Sequence, residues 1–305
     1  MTALREQIVW HAKRLAHDRR ARRVLATPPI VGRGDGVEIF SMIGTRVLLP
    51  YLVAAKSFAA ALGRGRIVIL DDETLTTRDR ALLAQHLDGP EILRAEAVDT
   101  GACPRGGTWE RLLTILDRRR DAYVIQLDSD TVTTGTAVDE VRVAIDANRS
   151  FALRGEAGAE LMTAAAFAAA RAPLPAGRAH IQRAFEAVVE QVRVPDLCYV
   201  RGCSGFAGFA RGGTGRALAQ AASAEGERLL GPARWREWGT EQITSNLVIA
   251  NEPDPLLLPY DRYLNFWDQG VPADARLVHF LGTCRFHGRA YADATRAAIG
   301  RLSAS

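Results

Sequence analysis

Four short runs rich in β-branched and aromatic residues fall at 37–43 (VEIFSMI), 66–70 (RIVIL), 91–98 and 123–127 (YVIQL). Helix formers fill the stretches between them, at 44–62, 77–87 and 109–119. Apolar runs bounded by turn signals read as buried strands. Strands that alternate with helices at this spacing need crossover connections. Such connections build a mostly parallel sheet with helices packed on it. Pro50 is the weak point of the first helix, Gly63 and Gly65 stop it, and Thr76 or Thr77 caps the second. The expected class is therefore α/β. At 305 residues the chain can bury one large core of this kind.

The fourth run ends abruptly in Asp128-Ser129-Asp130. Two carboxylates two positions apart share one side of an extended chain. Ligands of open α/β sheets bind beyond the carboxyl ends of strands. Like charges this close repel, and neither is easily desolvated alone. A hard divalent cation relieves the repulsion, and carboxylate oxygens suit magnesium, manganese or calcium. A plain Asp-rich turn explains the same tripeptide with no ligand at all. The motif therefore needs support from elsewhere in the chain.

Composition narrows the partners. Lys and Arg number 39 against 35 Asp and Glu, a net charge of +4. Nearly all of the positive charge is Arg, with Lys only at Lys13 and Lys56. This mild balance suits phosphate-bearing ligands or an anionic surface. No interleaved basic and aromatic platform is present, so nucleic acid is not an expected partner. Cys103, Cys198, Cys203 and Cys284 include no CxxC pair, which argues against zinc-ribbon and thioredoxin chemistry. They read as reduced packing residues of a cytoplasmic protein. The N-terminus lacks the apolar core of a signal peptide, and no stretch reads as long and apolar enough to span a bilayer. Gly44-Thr45 is no GxGxxG fingerprint, and no GxxxxGK[ST] loop exists.

Residues 1–26 are rich in helix formers, with Leu4, Ile8, His11, Leu15 and Val24 roughly on one face. Arg19, Arg20, Arg22 and Arg23 form a dense positive cluster. The favoured reading is a solvated helix packed on the main domain. Peripheral attachment to an anionic membrane, at its inner face, is the sharper alternative. Residues 27–36 (TPPIVGRGDG) read as a linker. Beyond the acidic turn, helices are expected at 135–148, 156–170, 179–192, 214–230 and 295–302, with Pro173 and Pro175 breaking the second from the third. Short strands are expected at 150–153 and 277–281, and a Gly-rich β-like stretch at 198–209. Residues 241–249 read as a short helix or a helix–strand mix, 253–259 as irregular and 282–291 as a loop.

His279 lies in the last apolar run, with Gly282 and Arg285 just after it. An imidazole here would complete a metal shell begun by Asp128 and Asp130, a donor set that suits manganese better than calcium. The planar fork of Arg285 would carry the excess charge of a phosphate. Taken singly, the histidine reads as a core residue and the arginine as a surface one.

Taken together, these residues resemble a known pattern. YVIQLDSDTV resembles the DxD strand of the GT-A glycosyltransferases, which use nucleotide sugars. The segment from His279 to Arg285, HFLGTCR, resembles the HxxGxxK segment of retaining members that include glycogenin and the lipopolysaccharide galactosyltransferases. Arg stands here where that family usually has Lys, and Phe286-His287 replaces its Pro-Trp. Glu241-Gln242 is similar to the family's Asp-Gln pair, and Ser204-Gly205 to its Asn-Ser-Gly segment, with Cys203 in place of Asn. The resemblance runs from about residue 37 to 291, and literal identity is confined to these patches.

The resemblance implies a GT-A-like, Rossmann-like sheet with a smaller acceptor-side region. Residues 1–36 would be a basic helix and linker, 37–134 a nucleotide-binding half, and 135–305 an acceptor-side half ending in the metal and diphosphate loop. Asp128, Asp130 and His279 would bind Mn2+, or Mg2+, with Ser129 beside them. Gly282 and Arg285 would approach the diphosphate, and Ser204 and Gly205 would line the donor sugar. Ser41, Gly44, Thr45 and Asp72 would border the base, where Asp71 and Asp72 read equally well as a polar turn. Glu241 is the natural general base if the enzyme inverts. Gln242 would sit beneath the sugar if it retains, the outcome the resemblance favours. The implied donor is a UDP-sugar; the acceptor, whether glycan, lipid, protein or small molecule, is not identified by the sequence, and residues 155–194, which have no counterpart in the resemblance, would shape its site. Two other functions compete. One is a nucleotidyltransferase that makes nucleotide sugars, for which Gly44-Thr45-Arg46 is a poor loop. The other is a non-enzymatic protein that binds an anionic surface through its Arg cluster.

Overall fold

The computed structural model describes residues 2–171 and 179–304. In chain order the strands are β1 (Val37–Ile43), β2 (Arg66–Asp71), β3 (Glu91–Arg94), β4 (Tyr123–Leu127), β5 (Thr131–Thr133), β6 (Phe151–Arg154), β7 (Met162–Thr163), β8 (Cys198–Tyr199), β9 (Gly202–Phe209), β10 (Leu256–Leu257), β11 (Tyr263–Asn265) and β12 (Leu277–His279). The helices are α1 (Thr2–Ala21), α2 (Leu48–Leu62), α3 (Thr77–His86), α4 (Trp109–Arg118), α5 (Asp139–Asp146), α6 (Ala164–Ala170), α7 (Ile181–Glu186), α8 (Ala217–Leu230), α9 (Pro232–Trp235), α10 (Thr240–Ala250) and α11 (Ala290–Ala304). Seven strands form the central sheet in the order β10-β6-β9-β4-β1-β2-β3, with β11-β12-β5 and β7-β8 as smaller sheets. The class is α/β as expected.

The chain divides into two compact units, one of Met1–Leu93, Leu127–Arg142 and Asp261–Ser305, the other of Arg94–Gln126 and Val143–Tyr260. In the first unit, β1 and β2 run parallel from Glu38 opposite Arg66 to Ile43 opposite Asp71. Six of the seven residues of β1 are buried, which explains its unbroken apolar pattern. Helix α2 begins after a 3-10 turn at Thr45–Val47, so Pro50 falls in its first turn, where a missing N–H costs nothing. It ends at Gly63, whose φ of 72° lets its N–H reach the Ala59 carbonyl at 2.9 Å. One expectation is corrected here. The run Thr45–Leu62 is long and apolar enough by composition to cross a membrane. That apolarity serves the core, because Tyr51, Leu52, Val53, Ala54, Ala55 and Phe58 are all buried. Helix α1 packs its inner face on α11, with His17 stacked on Tyr291 and bonded to the Thr295 hydroxyl at 3.0 Å.

In the second unit, β9 is buried throughout, and its glycines admit close neighbours. A Cβ on Gly208 would stand 2.2 Å from the Phe151 ring, and one on Gly202 would stand 2.5 Å from Asn246 Oδ1. Helix α10 is buried along nearly its whole length and is a single helix, without a strand portion. Trp109 Nε1 donates to the Thr240 hydroxyl at 2.9 Å, fixing α4 to the start of α10.

Other boundaries moved. The strand expected at 91–98 stops at Arg94, where a 3-10 turn at Ala95–Ala97 begins. The helix expected at 135–148 starts only at Asp139, because the N–H groups of Thr134 and Gly135 are held by the Arg276 carbonyl. The helix expected at 156–170 is confined to α6, which starts where the Thr163 hydroxyl accepts the Ala166 N–H. The one expected at 179–192 shrinks to α7 and a 3-10 turn. The terminal helix starts at Ala290, five residues early. Pro173, Pro175 and the Leu4 side chain lie outside the described residues.

Candidate functional site

In the first unit, two short strands bring the tail of the chain to the acidic turn. β12 pairs antiparallel with β5, placing His279 opposite Thr131, one residue past Asp130. The Phe280 N–H closes the corner on the Asp130 carbonyl at 2.9 Å. β11 runs parallel to β12 and sets Asn265 opposite His279. The fold therefore gathers Asp128, Asp130 and His279, with one donor atom of each within 4.8 Å of the others.

His279 Nε2 lies 3.2 Å from Asp130 Oδ1. Its Nδ1 lies 2.9 Å from Asn265 Oδ1, and Asn265 is 1 % exposed. With that amide oxygen as acceptor, Nδ1 carries the proton and the Nε2 lone pair faces the carboxylate. Two acceptors meet there unless a proton or a cation stands between them. Ligands at right angles on a cation with bonds of about 2.1 Å lie about 3.0 Å apart, close to the observed spacing. A partner that orients a ligating histidine from behind is the usual outer shell of a metal site. The donor set fits a divalent cation on chemistry as well, since two carboxylates and an imidazole suit manganese.

Arg285 supplies the positive charge. Its guanidinium pairs with Asp130 Oδ2, and its Nε donates to the Phe280 carbonyl at 3.0 Å. Burial pushes the Asp130 carboxyl up, but a proton shared with His279 and the Arg285 charge outweigh it and hold the group at about 2; a cation on the Nε2 lone pair would take the place of that proton. The two carboxylates carry two negative charges and Arg285 offsets one. A divalent cation would leave the cluster positive, ready for an anion such as a diphosphate. Ser129 is half-buried between the acids. Packing does not require glycine at Gly282, where an added Cβ meets nothing within 4 Å.

The residues expected near the base meet at the carboxyl ends of β1 and β2, also in the first unit. The Asp72 N–H donates to the Ile43 carbonyl at 3.0 Å. A Cβ on Gly44 would stand 2.0 Å from Asp72 Oδ1, so a larger residue there would have to displace the Asp72 carboxylate. Thr45 and Ser41 are already committed: the Thr45 hydroxyl donates to Asp79 at 2.6 Å, and the Ser41 hydroxyl to the Leu127 carbonyl at 2.7 Å. Asp71 is a turn residue. Its Oδ1 accepts the Glu73 N–H at 2.8 Å, and its Oδ2 pairs with Arg80. Asp72 caps Thr74 and keeps its carboxylate exposed.

The second unit holds a separate polar group around the start of α10. Glu241 is 1 % exposed and pairs with Arg111 at 3.0 Å, and it accepts from the Thr108 hydroxyl at 3.0 Å. Gln242 is half-buried. Its Oε1 accepts the Ser204 N–H at 3.1 Å, and its Nε2 donates to Gln182 Oε1 at 3.0 Å. The Ser204 hydroxyl lies 3.2 Å from Arg111, and Gly205 follows it inside β9. Asn246 donates to the Gly202 carbonyl at 3.1 Å. Sequence reasoning missed Asn265, Arg111 and Gln182. The register of β11 points to Asn265 once the strand is known; Arg111 stands among Leu112, Leu113, Ile115 and Leu116 with no spacing to mark it.

No family model matches the chain, and no curated protein sequence does. Solved structures do. The chain is similar to the galactosyltransferase LgtC in complex with donor and acceptor sugar analogs, at 13 % identity and a TM-score of 0.51, covering 88 % of this chain and 95 % of that one. It is similar to the apo form of the glycosyltransferase GlyE of Streptococcus pneumoniae, at 12 % identity and a TM-score of 0.51, covering 90 % of this chain and 63 % of that one. It spans 53 % of the bifunctional WbbM, over 91 % of its own length, at 15 % identity and a TM-score of 0.48. At these identities the likeness to LgtC and GlyE establishes the fold alone. The mostly parallel seven-stranded sheet is that of the GT-A proteins, with a DxD-like turn at Asp128 and Asp130.

Proposed function

We propose that this chain, which has the GT-A fold, is a glycosyltransferase. It would move a sugar from a nucleoside-diphosphate sugar to an acceptor hydroxyl, with a divalent cation, Mn2+ or Mg2+, as cofactor. The supporting observation is the cluster at the end of β4: Asp130 and His279 at 3.2 Å, Asn265 behind the imidazole, and Arg285 alongside. Asp128, Asp130 and His279 would hold the cation, and Asn265 would keep the imidazole in the ligating tautomer. When bound, the cation supplies Lewis-acid stabilisation of the charge that develops on the departing diphosphate. Arg285 adds a fixed positive charge to the same end. Gly282 leaves room for phosphate oxygens, and the exposed Asp72 carboxylate suits a ribose or base contact. The sequence resemblance makes UDP the nucleotide of choice. A cytoplasmic setting suits four cysteines that form no disulfide.

In the second unit, the reading favours retention. A general base must reach the acceptor proton, whereas Glu241 is enclosed by Arg111 and Thr108. We assign it a positioning role. Gln242 keeps a partly open amide with both ends fixed, by Ser204 and Gln182. An oriented amide dipole of this kind can stabilise positive charge on the sugar. The test is turnover of a panel of nucleotide sugars with and without Mn2+, followed by analysis of the product anomer. The proposal expects cation-dependent release of nucleoside diphosphate and a product with the donor's anomeric configuration. Cation-independent turnover contradicts the metal assignment, and an inverted product contradicts the role of Gln242.

A further inference from the structure

Helix α1 buries one face and leaves the other bare. His17 and Ala21 are buried, and His17 packs against α11. The outer face carries Ile8, Ala12, Leu15 and Arg19, spaced four, three and four apart as one helical stripe requires. Ile8 is 61 % exposed and Leu15 53 %. Val9, Lys13 and Arg20 form a second exposed row beside them. Among the described residues, four of the nine exposed large hydrophobic side chains fall in the eight positions from Ile8 to Leu15. Clustering of this sort marks an interaction surface, whereas single exposed apolar residues do not.

Charge identifies what covers it. Residues 7–23 contain six basic side chains and one acidic one, Asp18. Arg19, Arg20, Arg22 and Arg23 are all exposed and have no carboxylate partner among the described residues. Two copies of such a face repel each other. A purely anionic partner gives Ile8, Val9 and Leu15 nothing apolar to enter. An anionic bilayer offers both, with headgroups for the arginines and an acyl boundary for the aliphatic tips. Helix α1 also does not have to order on contact, because His17, stacked 3.8 Å from Tyr291, holds it in place beforehand.

We propose that the outer face of α1, with Ile8, Val9 and Leu15 beside Arg19, Arg20, Arg22 and Arg23, docks the protein on anionic phospholipid. The surface lies within the first unit and stands whatever reaction the protein catalyses.

The intact chain is sedimented with vesicles of phosphatidylcholine alone and of phosphatidylcholine with phosphatidylglycerol. Expected is pelleting with the anionic vesicles only, weakened by salt. Each arginine near a charged surface strengthens binding about fivefold, so Arg19→Gln with Arg22→Gln should weaken it roughly 25-fold. Ile8→Ser with Leu15→Ser should weaken it on the order of tenfold through lost apolar burial, at an unchanged melting point. Ile8→Trp provides an independent reading, because brominated acyl chains should quench the new indole. Three results overturn the proposal. They are no pelleting with anionic vesicles at low salt, equal pelleting with neutral vesicles, and a soluble dimer that Leu15→Ser dissolves.

Discussion

Asn265 has no chemistry of its own to offer, yet the account makes manganese affinity depend on it. It is 1 % exposed, sits opposite His279 in register, and accepts from the imidazole Nδ1 at 2.9 Å. Asn265→Ala removes the acceptor and leaves a buried N–H unsatisfied. That costs about 1–3 kcal/mol of stability in the metal-free protein. It also frees the ring to rotate and to exchange tautomers. Removal of such a supporting partner costs about 10- to 100-fold in metal affinity, or about 1.4–2.8 kcal/mol. Both effects should appear in one experiment, in which the melting temperature is followed across a Mn2+ series for wild type and variant. The zero-metal melting point should fall, and the Mn2+ midpoint should rise at least tenfold. Asn265→Asp keeps an acceptor in place and should restore the midpoint. An unchanged midpoint in a destabilised Asn265→Ala would mean that the residue only fills space, and the assigned tautomer would be wrong.

Other consequences follow from burial and charge. Burial lowers the Lys56 ammonium to about 8 from 10.5. A folded state that disfavours the charged form gains stability as pH rises from about 8 to 10.5, so wild type should gain about 3 kcal/mol on Lys56→Met over that window in urea denaturation; a constant gap refutes this. Glu241→Ala leaves Arg111 buried without that carboxylate and should cost about 3–5 kcal/mol of stability by denaturant midpoint, whatever it does to turnover. Gly208→Ala drives a methyl into the Phe151 ring and should cost about 3 kcal/mol by the same assay; a neutral result would show that β9 has slack.

The strand–helix alternation from 37 to 127 was legible because β1, β2 and β4 lie in the sheet interior, where continuous apolar runs are required. Strands of three residues leave no period to detect. β5 hid behind the acidic turn, and β11 lay in a stretch without pattern. Those two strands assemble the cluster, so Asp128, Asp130 and His279 could be named from their chemistry while Asn265 could not. Alanine content misled at 156–170, where propensity favours helix throughout but the chain turns helical only after Thr163. Likewise, Arg285 read from sequence as a phosphate ligand alone, and only the fold reveals its pairing with Asp130. The apolar side chains of α1 were legible too, but not which of them the packing against α11 would leave outside.

The central claim is that Asp128, Asp130 and His279 hold one cation, on which nucleotide binding depends. Calorimetric titration of UDP into the protein, with and without Mn2+, tests it directly. The account predicts saturable binding in Mn2+ that disappears on chelation and in folded His279→Ala. UDP bound equally well without metal, or by His279→Ala as by wild type, would contradict it.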